Sequence, residues 1–252
     1  MDRIGHVLRR DQKEDARIAL KWTPLGKRND LPLLNSTLKL DFSFGQSCTN
    51  HKDRKIPLLE ELFKRYPQMP INIDIKIDND DLIKQVSDMI VKYNRESLTV
   101  WGNYRNKITY KCHKENPNVP TLFSVQRVIM LLVFTYTGLL PFIPLRESCL
   151  ELFLPHIFYK VKPELMSSQR GGLFSFLLTM ADKLLMRRFI FEHLKKRDIQ
   201  VFLWVLNDEE DFKKALDLGA TGIMTDYPTK LRKFLDDNPQ YMKKIESKEN
   251  DM

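Results

Sequence analysis

The sequence has little cysteine: Cys48, Cys112 and Cys149 are far apart and form no Cys-x-x-Cys pair. This spacing argues against both a disulfide framework and a zinc site. No apolar segment follows Met1 closely, so the N-terminus does not predict a signal peptide. The chain also lacks the serine-nucleophile elbow, the zincin helix, the Walker A loop and the dinucleotide-binding glycine loop. Several common enzyme classes are therefore disfavoured.

The chain has 252 residues, of which 42% are hydrophobic, and a formal net charge of +8. This length accommodates one α/β barrel or one to two smaller domains with a sizeable core. The positive charge suits an anionic membrane surface or a phosphorylated substrate. We expect no nucleic-acid partner, because the sequence has no helix-turn-helix, zinc-finger or RNP-like pattern.

Short apolar segments alternate with helical patterns from residue 56 onward, which is typical of parallel βαβ units. We expect an α/β fold that resembles a TIM barrel, a (β/α)8 fold, with about six of its eight strands. Asp80 is predicted to cap one helix, and Asn207 with Glu210 to form a capping box for another. The predicted strands are 71–77, 98–101, 121–125, 156–161, 200–206 and 222–225.

The composition divides the chain into three parts. We predict a divergent N-terminal segment at 1–54, whose first 35 residues are irregular, a barrel portion at 55–237 and a charged, solvated tail at 238–252.

An apolar insertion at 128–145 contains no charged residue and is interrupted by Gly138, Pro141 and Pro144. A helix that ends at Leu140 would be about 20 Å long, whereas the hydrocarbon core of a bilayer is ~30 Å thick. We therefore predict a shallow or re-entrant membrane contact, with a buried core helix as the alternative. A second apolar stretch at 173–178 also follows a predicted strand, so both would leave the C-terminal face, where barrel enzymes bind substrate.

Asp74 and Lys76 project to the same side of their strand, because side chains alternate with period two. Asp74 can bind Mg²⁺ or Ca²⁺ as a hard oxygen donor, and Lys76 can meet a phosphate as a point charge. The alternative is a buried ion pair without a catalytic role.

Two later residues are candidates near the same site. Trp204 sits late in its strand and can form an apolar wall beside the substrate, or it can simply pack in the core. Asp226 ends the last strand and can steady a phosphate site, or it can be a turn residue before Tyr-Pro. We assign no role to the histidines His6, His51, His113, His156 and His193.

These residues also carry a family resemblance. The motif 73–76, Trp204 with Asn207, and the last strand through Asp226 and Pro228 together resemble the glycerophosphodiester phosphodiesterase family. The resemblance covers roughly residues 55–237 and is closest to the membrane-associated, lysophospholipase D-type branch. It implies a TIM barrel in which Asp74 replaces the commoner glutamate as a metal ligand. It also implies that Lys76 and Trp204 face the substrate, with Asn207 and Asp226 as structural neighbours.

The resemblance implies a reaction as well. Lysophospholipids such as lysophosphatidylcholine and N-acyl-lysophosphatidylethanolamine would be cleaved to lysophosphatidic acid and the free headgroup or N-acylethanolamine. Mg²⁺ or Ca²⁺ would be the cofactor. The location implied is a membrane, at the endoplasmic reticulum or perinuclear region or on the cytoplasmic face.

Residues 1–54 depart from the family pattern. Nothing there matches its His-Arg-Gly strand, its Glu-x-Asp strand or its second histidine. Phosphodiester hydrolysis needs a proton acceptor and a donor, so we expect an altered or truncated product with weak activity or none. A second hypothesis is a non-catalytic, membrane-associated regulator of a full-length relative. A third is another phosphate-binding barrel, with its ligand near Asp226 and no role for Asp74.

Overall fold

The computed structural model describes residues 6–9, 58–155, 157 and 171–241. Its strands are β1 (His6–Arg9), β2 (Ile71–Asp74), β3 (Thr99–Gly102), β4 (Cys149–Phe153), β5 (Gln200–Trp204) and β6 (Gly222–Thr225). Its α-helices are α1 (Leu59–Arg65), α2 (Asp80–Lys92), α3 (Asn106–Glu115), α4 (Val125–Tyr136), α5 (Gly171–Leu185), α6 (Arg188–Lys195), α7 (Glu209–Leu218) and α8 (Pro228–Asp237). Short 3₁₀ helices occupy Glu96–Leu98 and Leu140–Phe142.

Consecutive parallel strands lie side by side in chain order. β2 pairs with β3, β4 with β5 and β5 with β6, all in parallel. Two isolated parallel bridges, Trp101 to Thr121 and Leu122 to Cys149, connect β3 to β4 through one more strand position. Strands in chain order with helices between them are the arrangement of a TIM barrel. The predicted α/β, barrel-like fold with six parallel strand positions is therefore confirmed.

The third and fourth strand positions differ from the predicted ranges. The fourth strand is Cys149–Phe153, whereas residues 156 and 158–161 of the predicted strand lie outside the described residues. The predicted strand at 121–125 is shorter than expected: it contributes two parallel bridges, at Thr121 and Leu122, and α4 already begins at Val125. Ser124 caps that helix, and its side chain accepts a hydrogen bond from the Arg127 backbone N–H. A serine that caps a helix ends the extended segment.

The N-terminal segment contains a strand where we predicted irregular chain. β1 pairs antiparallel with β6, with His6 opposite Thr225 and Arg9 opposite Gly222. A parallel sheet that ends at β6 offers unpaired N–H and C=O groups, and an extended segment can satisfy them. β1 has only four residues, which is too short for a hydrophobic period to be recognised in the sequence. Its pairing with the edge of the sheet could therefore not be predicted.

Two helix caps also differ from the predictions. Asn79, not Asp80, caps α2, and its side chain accepts a hydrogen bond from the Leu82 N–H. Asp208, not Asn207, is the N-cap residue of α7, and it makes no side-chain cap bond. The predicted capping box is therefore wrong, and the Asn207 amide is used elsewhere. Residues from Met242 onward, including most of the predicted tail, lie outside the described part.

Successive side chains of each strand point to opposite faces of the sheet. One face packs against the helices, and the other is the inner face of the barrel-like sheet. One outward cluster packs β2 and β3 against α2 and α3. A larger one packs β4, β5 and β6 against α4 and α6 to α8. The inward cluster is small, with Val100 and Trp204 packed against it. Its buried members are Leu122, Cys149, Phe202 and Met224.

The apolar run at 128–145 is divided between α4 and the 3₁₀ helix at Leu140–Phe142. Within the described ranges, no helix is both long and apolar enough to cross a membrane. Leu131 is the one residue of α4 that is buried, while Ile129 and Val133 remain more than half exposed. The helix therefore buries one side in the core, as in the alternative of a buried core helix, and leaves its other side exposed. The second apolar stretch, 173–178, lies within α5.

Candidate functional site

Most of the predicted site residues lie at the carboxyl ends of parallel strands. Asp74 ends β2, Trp204 ends β5, and Asp226 directly follows β6. Because the carboxyl ends of parallel strands meet at one edge, these side chains belong to the same end of the sheet. Barrel enzymes bind their substrates at that end.

Asp74 is a buried carboxylate held by a cation and an amide. It is 7% exposed, and the Lys76 Nζ lies 2.7 Å from its Oδ2. The Asn103 Nδ2 donates to its Oδ1 at 2.7 Å. A charge removed from water needs such partners. Lys76 lies beyond the end of β2, but its ion pair with Asp74 places the two side chains together, so the ion pair of the alternative interpretation is present.

The asparagine is itself fixed by a helix. Thr109 on α3 accepts a hydrogen bond from the Asn103 backbone N–H at 2.9 Å and donates to its carbonyl at 2.7 Å. Gly102 permits this close approach. A Cβ there would lie 3.1 Å from the Thr109 Oγ1 and 3.2 Å from the Leu122 Cβ, and φ is +147°. A glycine at this position therefore lets α3 orient the amide that contacts Asp74.

A second polar pair crosses from β2 to β4. The Asn72 Nδ2 donates to the Glu151 Oε1. Asn72 is 5% exposed, and its Oδ1 has no hydrogen-bond partner in the described part of the chain. Asn72 and Asp74 share one side of β2 by period two. That rule predicts the inward position of Asn72, whereas Glu151 was missed because the fourth strand was assigned to later residues.

Trp204 lies half-buried beside another aromatic ring. Its ring packs edge-to-face on Phe153, with the ring centroids 5.8 Å apart, and the two residues are paired across β4 and β5. It also packs against the inward cluster of Leu122, Cys149, Phe202 and Met224. The two rings thus form an apolar surface at the carboxyl ends of adjacent strands. Core packing and a substrate-facing wall are both compatible with this position.

Asn207 connects the ends of β5 and β6. Its Nδ2 donates to the Asp226 Oδ2 at 2.9 Å. Its Oδ1 accepts from the Asp226 backbone N–H at 3.0 Å and from the Thr225 hydroxyl at 3.1 Å. The Lys230 Nζ donates to the Asn207 carbonyl oxygen at 2.8 Å. Asp226 is exposed, so it presents a carboxylate at the rim while its backbone is fixed.

Oxygen donors of the kind that Mg²⁺ and Ca²⁺ prefer occur on β2 and β4. They are the carboxylates of Asp74 and Glu151 and the Asn72 Oδ1, a buried acceptor for which the described residues provide no donor. By donor type these residues fit a hard cation. The described residues contain no group of three histidine, cysteine, aspartate or glutamate side chains that could hold a metal. A complete ligand set is therefore not present among the described residues.

Other reactive side chains lie away from this edge or lack the required chemistry. Burial raises the pKa of the Cys112 thiol to about 12, so it is protonated at neutral pH. His113 and His193 lie on α3 and α6, and His6 lies in β1. His51 and His156 fall outside the described residues.

Comparison with known proteins gives a consistent family. Residues 200–229 match the profile of the glycerophosphoryl diester phosphodiesterase family. The chain is 54% identical over 199 residues to lysophospholipase D GDPD1 of Homo sapiens, covering 78% of this chain and 62% of that protein. It is 37% identical over 209 residues to human lysophospholipase D GDPD3, covering 83% of this chain and 64% of that protein. The chain thus spans less than two thirds of the length of these relatives.

Solved structures give a weaker likeness. A putative glycerophosphodiester phosphodiesterase from Galdieria sulphuraria is 18% identical with a TM-score of 0.47, covering 84% of this chain and 73% of that one. A phosphodiesterase from Oleispira antarctica in complex with sn-glycerol-3-phosphate is 13% identical with a TM-score of 0.43, covering 72% and 62%. These scores are too low to establish a shared fold. The sequence matches to the family profile and to the human relatives show strong similarity to the glycerophosphodiester phosphodiesterase family over most of the chain.

Proposed function

We propose that this chain is a phosphoric diester hydrolase of the lysophospholipase D type. The observation that supports it best is the 54% identity to human lysophospholipase D GDPD1 over 78% of the chain. The proposed substrates are lysophosphatidylcholine and N-acyl-lysophosphatidylethanolamine. In the reaction water adds to phosphorus, the bond to the headgroup oxygen breaks, and that oxygen takes a proton. The products are lysophosphatidic acid and free choline or N-acylethanolamine.

The proposal gives the residues at the sheet edge distinct roles. Lys76 is only partly buried, so its ammonium group can bind a phosphate oxygen. Its ion pair with Asp74 at the same time holds that carboxylate in place. Asn103 keeps the carboxylate of Asp74 oriented through its 2.7 Å hydrogen bond. Trp204, with its neighbouring ring, provides an apolar wall for the substrate. Asn207 and Asp226 hold the ends of two strands together beside the site.

A divalent cation, Mg²⁺ or Ca²⁺, is the proposed cofactor. Asp74 would hold it, with Asn72 and Glu151 as further oxygen donors on the same strands. When bound, such a cation offsets the negative charge that develops on a phosphoryl group. The chain's own residues then bind and orient the phosphate and keep water from the apolar side.

We further propose that this polypeptide alone hydrolyses its substrate slowly. Residues 1–54 contain no segment that resembles the family's two histidine motifs or its Glu-x-Asp strand. A positioned acid or base contributes about 10²–10⁴-fold to a rate, so the loss of either is severe. The second candidate function is therefore a non-catalytic, membrane-associated regulator of the full-length enzyme. It is favoured by the exposed apolar side chains of α4 and by the net charge of +8.

We also propose that the chain works at a membrane surface, at the endoplasmic reticulum or perinuclear region or on the cytoplasmic face. The apolar insertion and the basic composition support this location. Fluorescence microscopy of the tagged chain beside markers of these membranes tests it, and an even cytosolic distribution would contradict it.

Hydrolysis is tested by incubating the chain with each substrate and either cation, and by quantifying the products with mass spectrometry. We expect release of choline or N-acylethanolamine together with lysophosphatidic acid. The rate should be at least about 100-fold below that of the human relative assayed alongside. Chelation and Asp74→Ala should abolish it, whereas Asp78→Ala, a change to an exposed aspartate on the same segment, should not.

Two results would change this view. Release that survives Asp74→Ala would remove Asp74 from the proposed site. No release above the blank, together with a changed rate of the human relative on mixing, would favour the regulatory function.

A further inference from the structure

Large apolar side chains remain exposed along α4 and the turn that follows it. Their exposed fractions lie between 48% and 81%. The spacing of the first three by four and three residues places them on one side of the helix. We call this surface the α4 face, and its members are Ile129, Val133, Tyr136, Leu139 and Phe142.

The opposite side of α4 is fixed in the core. Leu131 is fully buried, and Val128, Leu132 and Phe134 pack against the large cluster behind β4 to β6. Rotation of the helix would expose these residues in place of the α4 face. The outward orientation of the α4 face is therefore built into the packing of the helix.

The turn after α4 is held by an arginine from the end of α6. The Arg197 Nη1 donates to the Leu140 carbonyl at 3.1 Å, and its Nη2 donates to the Ile143 carbonyl at 2.7 Å. Leu140 itself is buried at 4% exposure. Phe142 lies between these two anchored residues and is 81% exposed. An exposed phenylalanine on an anchored turn is pre-positioned for contact, because little conformational freedom remains to be lost.

The α4 face continues into a basic region. The Tyr136 hydroxyl donates to the Leu184 carbonyl at 2.9 Å, and its ring packs edge-to-face on Phe189 with centroids 6.3 Å apart. These contacts place the junction of α5 and α6 next to the α4 face. The exposed cations of this junction are Lys183, Arg187 and Arg188.

We infer that the α4 face inserts shallowly into the interfacial region of an anionic bilayer, with the α5–α6 cations against the headgroups. Aromatic and aliphatic side chains beside arginine and lysine are the composition of interfacial membrane contacts. α4 has 12 residues and is about 18 Å long, so it lies along the interface and does not cross it. This inference rests on the proposed membrane partner and is independent of the proposed hydrolysis.

Vesicle flotation tests the apolar part of this inference. The full chain is mixed with phosphatidylcholine vesicles, with or without phosphatidylserine, and floated on a density gradient. We expect flotation with the anionic vesicles, and at least a tenfold weaker partition for Phe142→Asp. The matched control is Val91→Asp, which alters a 50% exposed side chain on α2 and should float like the unchanged chain.

The cationic part is tested in the same assay with Arg187→Glu and with Lys233→Glu on α8, both of which reverse an exposed charge. We expect the first to weaken binding to anionic vesicles and the second to leave it near the unchanged value. Equal flotation of Phe142→Asp and Val91→Asp would overturn the inference. So would a dimer in solution that Phe142→Asp dissociates without any effect on flotation, since the α4 face would then bind a second copy. Because flotation needs no turnover, an inactive chain that still floats leaves the inference intact.

Discussion

At the scale of single residues, Arg95 shows how a buried cation serves the fold. It is 0% exposed, and its guanidinium donates to the carbonyls of Tyr66, Pro67 and Met69. It also lies 4.6 Å from the centroid of the Phe63 ring. Burial lowers the pKa of this arginine, so the surrounding carbonyls have to stabilise the charge. Arg95 thus holds the segment between α1 and β2 next to Phe63 of α1.

Replacement of this arginine should be costly. Arg95→Ala removes a fully buried side chain together with its hydrogen bonds to three backbone carbonyls, and we expect a loss of about 2 to 4 kcal/mol in the free energy of unfolding. Urea denaturation followed by circular dichroism measures it. Arg65→Ala, on the exposed side of α1, is the control and should stay within about 0.5 kcal/mol of the unchanged chain. A similar small effect of Arg95→Ala would show that these carbonyls find other donors.

Residues at the candidate site were predictable where a local rule applies. Asp74 and Lys76 follow from strand periodicity, and Asn72 has the same parity. Asn103 directly follows β3, but its contact with Asp74 depends on α3 and on a close backbone approach at Gly102. Glu151 requires the correct placement of β4. Such long-range contacts involve residues 29 and 79 positions apart and leave no local pattern.

At the scale of elements, α6 combines packing with a titratable group. Ile190, Phe191 and Leu194 are its buried residues, and His193 lies on the same helix. The His193 Nε2 is buried, and the described residues offer it no hydrogen-bond partner. Burial lowers the pKa of this imidazole, with a further contribution from Arg197 and Lys196. The neutral form is therefore favoured in the folded chain.

This shift predicts a dependence of stability on pH. Because the folded pKa lies below the unfolded value of about 6.5, the unfolded chain binds more protons between the two pKa values. The contribution of His193 is present above pH 6.5 and is lost as the pH falls towards the folded pKa. We expect the unfolding free energy to fall less between about pH 7.5 and 5.5 in His193→Leu than in the unchanged chain. Urea titrations at both pH values measure the difference, and identical pH dependence would contradict the shift.

The helices and their order were largely predictable, and the connections were not. The spacing of the apolar residues after Asp80 is that of one helix face, and Ile83, Val86 and Ile90 are buried on α2. The described part of the chain between β4 and β5 contains two helices, α5 and α6, with a break at Met186 and Arg187. The capping prediction at Asn207 failed because its amide binds Asp226 and Thr225 across two strands. The residues around the start of a helix do not show that a polar side chain there will bind a distant strand instead of capping the helix.

At the scale of the whole molecule, the parallel strands are consecutive from β2 to β6, and β1 covers the outer edge of β6. The alternation of apolar segments and helices was sufficient to predict this order. The antiparallel pairing of β1 was not predictable, because any extended segment of suitable length can occupy a free sheet edge. The edge pairing nevertheless has a consequence for the stability of β6.

Deletion of residues 1–9 removes the partner of β6 along its outer edge. We expect faster hydrogen–deuterium exchange in residues 222–225 and a greater tendency to aggregate, since an unpaired strand edge recruits other chains. Exchange detected by mass spectrometry reports the first effect, and light scattering reports the second. Deletion of residues 244–252 is the control of equal length. Unchanged exchange in β6 after the N-terminal deletion would show that β1 does not protect this edge in solution.

The central claim is that the buried carboxylate at the end of β2 belongs to a divalent-cation site. The most direct measurement is calorimetric titration of Mn²⁺ or Mg²⁺ into the unchanged chain, Asp74→Ala and Asp78→Ala. Asp78 is a suitable control, because it is exposed and its contacts with Lys107 and Lys111 lower its pKa. We predict saturable binding that Asp78→Ala preserves and that Asp74→Ala weakens at least about tenfold. Equal affinity in all three proteins, or no binding in any of them, would contradict the claim.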